Sequence, residues 1–156
     1  MRKQSILKSS LVRHHFFGEF MWIFRSFIAG FISTLIFHQG LFHLLYLAGK
    51  IPKPAWDMTA TQPLHVPAVI SLAFFGGVWG IALWAMIKKQ SGSRQWLLAI
   101  FLGAVLPSVV ALLIVFPLKG MAFAANWDPK MWLGAFLLNG AWGLGVVLIM
   151  KAFGKK

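Results

Sequence analysis

Four uninterrupted apolar runs govern what this chain can fold into. They cover residues 26–48, 66–87, 96–116 and 131–150, and none of them contains Asp, Glu, Lys or Arg. Wound at about 1.5 Å per residue, each run spans roughly 30 Å, the thickness of a bilayer's hydrocarbon core. A charge at the centre of such a helix costs roughly 2.5–3.5 kcal/mol, which accounts for the empty positions. Isolated strands would leave backbone N–H and C=O groups unpaired in lipid, and the runs lack the dyad alternation of barrel strands. The sequence therefore predicts an all-α integral membrane protein with four transmembrane helices. Composition agrees, with 59% hydrophobic and 12% charged residues, where soluble domains run at roughly half and a quarter. A chain of 156 residues has room for one such bundle and no second domain.

The formal net charge is +12, with Glu19, Asp57 and Asp128 the only acidic residues. On a soluble protein that excess would point to nucleic acid. Here the basic residues gather at the ends of apolar runs, so the expected partner is a bilayer with anionic headgroups, and no nucleic acid. Residues 1–25, the middle connection with Lys88, Lys89 and Arg94, and the tail at 151–156 hold most of the Lys and Arg. By the positive-inside rule these segments are cytoplasmic, giving N-in and C-in ends. Residues 1–25 read as a basic amphipathic interfacial segment that turns inward at Arg25. Residues 26–150 form the transmembrane domain, and the first span is expected to act as an uncleaved signal anchor. The absence of Cys removes disulfides, thiolate metal sites and thiol nucleophiles. No catalytic motif appears and no cofactor is indicated, so an enzyme is not expected.

A short internal repeat organises the domain. Gly77-Val78-Trp79-Gly80-Ile81 matches Gly140-Ala141-Trp142-Gly143-Leu144, each followed seven residues later by a lysine, Lys88 or Lys151. Trp56-Asp57 and Trp127-Asp128 precede them. Two tandem helical hairpins of the same orientation are the arrangement this suggests, as in parallel transporter repeats.

The stretches Phe37-His38-Gln39-Gly40-Leu41-Phe42-His43, Pro63-Leu64-His65-Val66-Pro67, Phe75-Gly76-Gly77-Val78-Trp79-Gly80, Phe116-Pro117-Leu118-Lys119-Gly120 and Asn139-Gly140-Ala141-Trp142-Gly143-Leu144-Gly145 resemble a family of small four-helix bacterial inner-membrane proteins with no assigned activity. The resemblance covers about residues 26–150. It implies a bacterial plasma membrane and supplies no catalytic residues.

Ala73, Gly76, Gly77 and Gly80 form a small-residue stripe on the second span, and Gly140 and Gly143 with Asn139 mark the fourth. Such faces let helix backbones approach in lipid, where no hydrophobic force drives association. On the third span Pro107 follows Gly103 by four residues, a spacing that suits a bend. Inside the first span Gln39, His43 and Tyr46 share a face, flanked by His38. They predict a polar cavity, to which Asn139 would contribute, open toward the outer side. The structural counterpart is a neutral histidine donating to a backbone carbonyl or to Asn139 across a helix contact. His43, His65 and Asp57 are a weak candidate metal set near the outer surface. Three function classes follow: an interaction or assembly subunit, as a homo-oligomer or with a membrane-protein partner; a small oligomeric transporter or channel; and a metal or redox component.

Overall fold

A computed structural model of the chain describes residues 2–154, with side chains from Gly18 onward. Four of its helices are long and apolar enough to cross a bilayer: Gly18–Leu47, Ala68–Ile87, Gly92–Leu118 and Pro129–Gly154. They are called the first to fourth helices below. The first is continuous with helical backbone that begins at Arg2, and no break occurs at Arg25. The expected inward turn there is thus corrected. No proline precedes Pro52, and Gly18 alone does not interrupt a helix whose flanking residues propagate it. At 30 residues the first helix is about 45 Å long, longer than the roughly 30 Å of a hydrocarbon core.

The first and third helices end alike. Gly49 adopts φ 69° and Gly120 φ 71°. At the first end, Lys50 N donates to Leu45 O and Gly49 N to Tyr46 O; at the other, Met121 N donates to Phe116 O and Gly120 N to Pro117 O. Each is a glycine-closed Schellman motif, which satisfies carbonyls that a helix end would otherwise leave bare. Both helices also carry one π-helical turn in the halves remote from the termini, Thr34–His38 and Ala111–Val115. The two turns have related causes. Thr34 Oγ1 donates to Gly30 O, four residues back, at 3.0 Å. Pro107 stands four residues after Gly103 and has no N–H to offer its carbonyl. Either perturbation weakens the ordinary ladder just before the wider turn.

Helix pairing follows the small residues. The first helix packs on the second, the third on the fourth, and the first also on the fourth, whereas the second and third meet sparsely. A methyl group on Gly80 would strike Ser26 O and the Gly30 backbone; one on Gly143 would strike Ala99 O and the Gly103 backbone. Both helix pairs therefore close through the same step, one glycine lying between two residues four apart on the facing helix. Gly76 fits against Thr34 and Gly30, Gly77 against the Phe27 ring, and Gly140 makes only ordinary contact with Ala104 and Ile100. Ala73 is fully buried.

The two helix pairs join through the first and fourth helices. Trp142 Nε1 donates to Gly30 O at 3.0 Å, and Ser33 Oγ donates to Trp142 O at 2.6 Å. Gly145 admits Ser33 and the Phe37 ring beside them. The closed core around Ala29, Leu83, Ile87, Ala99, Trp142, Val146, Val147 and Met150 lies in the half of the bundle nearer the chain ends. The connections at the other end differ. Residues 48–67 form a long loop with a small antiparallel pairing of Ala60–Thr61 with Val66–Pro67. The return after Gly120 is shorter and passes through four consecutive left-handed residues, Ala124 to Trp127.

Candidate functional site

The polar residues of the first helix meet its own loop at the end remote from the termini. In the π-helical turn, the Gln39 amide bonds to Thr34 O and Ile36 O and passes over Leu35 O. That carbonyl accepts Trp56 Nε1–H at 3.0 Å. Gln39 is buried, and its Oε1 accepts the backbone N–H of Trp56 at 2.9 Å. One loop residue thus supplies two donors to two acceptors that lipid could not satisfy. Trp56 holds φ 55°, a left-handed conformation that a bulky residue adopts only when its surroundings fix it.

His43 lies beneath this contact, its ring centroid 5.2 Å from Trp56 and 6.2 Å from Tyr46. Its Nδ1 is buried and, among the described residues, has no hydrogen-bond partner. His38 Nδ1 stands 3.3 Å from Gln39 Nε2. Tyr46 is exposed. Asn139 instead donates Nδ2–H to Ser108 Oγ at 2.9 Å, between the fourth and third helices, and bonds to neither histidine. The expected group of Gln39, His43, Tyr46, His38 and Asn139 is therefore divided. Gln39 and His43 meet Trp56, with His38 beside Gln39 and Tyr46 stacked on His43, while Asn139 belongs to the contact of the third and fourth helices.

The expected His43, His65 and Asp57 metal set is not assembled. Among the described residues no three His, Cys, Asp or Glu side chains lie close enough to hold a metal ion. Asp57 Oδ1 accepts the Thr59 N–H at 2.9 Å and the Thr59 hydroxyl at 2.7 Å, closing a local turn. These two donors, the backbone one foremost, hold its carboxyl below the usual carboxylate range. His65 sits exposed in a turn with φ 53°, and His43 is covered by Trp56.

Sequence reasoning missed Trp56, Ser33 and Gly30. The signal for two of the faces existed: Ser26, Gly30 and Thr34 recur every fourth residue, a small-residue stripe like that on the second span. Nothing local marks Trp56 as a cap, because the carbonyl it covers is released only by the π-helical turn. Comparisons with protein-family models, with curated proteins and with solved structures find no match.

Proposed function

We propose that this chain is an interaction or assembly subunit of a bacterial inner membrane, with both termini cytoplasmic. The observation that carries the reading is the loop surface at the end remote from the termini. Met58 and Leu64 of the first loop and Leu118, Phe123 and Trp127 around the second are all more than half exposed. Large apolar side chains grouped in the loops and at the helix end beside them mark contact surfaces for other proteins or for the membrane interface. Beneath them the bundle is closed by glycine contacts, and its polar groups are largely occupied by bonds within the chain. Bacterial origin and the inner membrane rest on the family resemblance, and orientation rests on the distribution of Lys and Arg.

The test is purification in mild detergent followed by native mass spectrometry. A stoichiometric membrane-protein partner, or a second copy, is expected, and it is lost when Leu64 and Leu118 are both replaced by Ser. A monomer without partners overturns the reading. For orientation, a cysteine at Thr59 should react with an impermeant reagent in intact cells and one at Ser91 should not. The reverse pattern inverts the topology.

A second reading, a small oligomeric transporter or channel, is favoured by one observation. His43 Nδ1 lacks a partner at the outer end of the first helix. A solvated path to it would make a cysteine at position 43 reactive toward small water-soluble reagents; a folded but unreactive variant removes this reading.

A further inference from the structure

At the end of the bundle bearing the termini, each hairpin sets a lysine over a tryptophan. Lys88, after the second helix, lies with Nζ 3.7 Å from the Trp22 ring centroid; Lys151, late in the fourth, lies 5.1 Å from that of Trp96. In the first hairpin this pair is completed by a carboxylate. Glu19 Oε2 accepts Trp22 Nε1–H at 2.6 Å and stands 3.9 Å from Lys88 Nζ. The indole N–H and the ammonium thus converge on one oxyanion.

In the second hairpin that oxyanion is absent. The position three residues before Trp96, where Glu19 stands relative to Trp22, is Ser93. Asp57 and Asp128 belong to the loops at the opposite end. Among the described residues, Trp96 Nε1 has no hydrogen-bond partner and Lys151 has no carboxylate within ion-pair distance. Both side chains are half-buried, so their donors are held at headgroup depth rather than spread into bulk water.

We propose that Lys151 and Trp96 form a binding site for the phosphodiester of one anionic phospholipid, which takes the place that Glu19 fills in the first hairpin. A phosphodiester offers the same acceptor chemistry as a carboxylate, the bilayer supplies it at that depth, and in an anionic lipid such as phosphatidylglycerol, unlike phosphatidylcholine, no headgroup cation competes with Lys151 for it. The site depends on the chain spanning a bilayer and is independent of the assembly reading.

The experiment uses the full chain in a neutral detergent, titrated with dioleoylphosphatidylglycerol, with dioleoylphosphatidylcholine, and with inorganic phosphate in separate arms. Bound lipid is counted by native mass spectrometry and thermal stabilisation is followed in parallel. Wild type should retain one phosphatidylglycerol, and Lys151→Ala should weaken that binding roughly tenfold, the loss of one charge-assisted contact. Ser93→Glu, which supplies an internal carboxylate, should abolish it without loss of folding, and Glu19→Gln should add a second bound lipid. Phosphatidylcholine at equal affinity, or phosphate stabilising at equal concentration, overturns assignment to an anionic lipid. Retention of the lipid by Ser93→Glu, with its folded yield intact, overturns the site itself.

Discussion

The two helix pairs, first with second and third with fourth, close by the same backbone contact and diverge almost everywhere a side chain could do something more. Gly80 and Gly143 occupy equivalent places against Ser26–Gly30 and Ala99–Gly103. Yet Trp142 is nearly fully buried and bonds across to Gly30, while Trp79 is half-buried and makes no side-chain hydrogen bond among the described residues. Trp56 folds down onto the first helix, whereas Trp127 stays mostly exposed and stacks on Trp132, centroids 5.5 Å apart and rings at 3°. Asp57 and Asp128 make the same contact, Oδ1 accepting the backbone N–H two residues on at 2.9 Å, but only at Asp128 does a helix follow at once, and only Asp57 also takes a hydroxyl, that of Thr59. Close packing in lipid tolerates little variation, so the glycine step is where the hairpins agree. The tryptophans at the ends are where one hairpin takes on a contact the other lacks.

The harshest way to break this comparison is to fill the glycine step. Gly80→Leu and Gly143→Leu should each destabilise the protein by about 3 kcal/mol, the upper end of overpacking, because backbone carbonyls stand in the way. Gly40→Ala, where nothing lies within 4 Å, should stay within about 1 kcal/mol of wild type. Denaturant titration in detergent measures all three. Tolerance of one leucine variant and not the other would show that the hairpins do not share the contact.

A smaller effect separates the two Gly-x-Trp-Gly motifs. Trp142→Phe should cost about 1.5 kcal/mol, near the upper limit for an interhelical hydrogen bond in a membrane protein. Trp79→Phe should cost less than about 0.5 kcal/mol. Equal losses would mean that the second helix buries its tryptophan against a partner after all.

Smaller again, Trp56→Phe should cost about 1 kcal/mol and leave Leu35 O without its donor, while Trp127→Phe keeps a ring to stack on Trp132 and should be nearly silent. Faster hydrogen exchange confined to the Thr34–Gln39 segment in the first variant would sharpen the assignment of Trp56 as the cap of that turn.

The slightest difference is in pH response. Asp57 has a carboxyl pKa lowered from 3.8, so the ordering it gives the first loop is present above that value. It is lost as pH falls through the lower folded-state pKa. Acidification below pH 3.8 should therefore release protection of the Thr59 amide, and Asp57→Asn should weaken that protection already at neutral pH. A Thr59 signal indifferent to both changes would place the turn's stability elsewhere.

How far the sequence could be read depends on the range of each signal. Charge-free runs located all four helices, because the exclusion of Lys, Arg, Asp and Glu from hydrocarbon acts residue by residue. The third helix starts earlier than its apolar run, since Ser91 and Gly92 permit a helix start that hydropathy does not register. Gly76 and Gly80 stand out as a Gly-x-x-x-Gly pair, but identifying Gly30 as their partner requires knowing which helix lies opposite. The same limit applies to Trp79 and Trp142, whose motifs match while their neighbours do not. The histidines were legible as unusual polar groups in a span. Trp56 as their cover was not, because it arrives from seventeen residues away, through a loop whose path no periodicity encodes.

The bond between Ser33 and Trp142 joins residues 109 apart in the chain. At roughly 5–20 residues per second, a ribosome needs about 5–20 s to deliver the second after the first. During that interval the first hairpin sits in the membrane with its fourth-helix face unclaimed, Ser33 turned toward lipid or toward whatever escorts it. If insertion machinery escorts the chain, it has to shelter this polar helix face until the last span arrives. A truncation ending before Pro129 should stay associated with such machinery far longer than the full chain does.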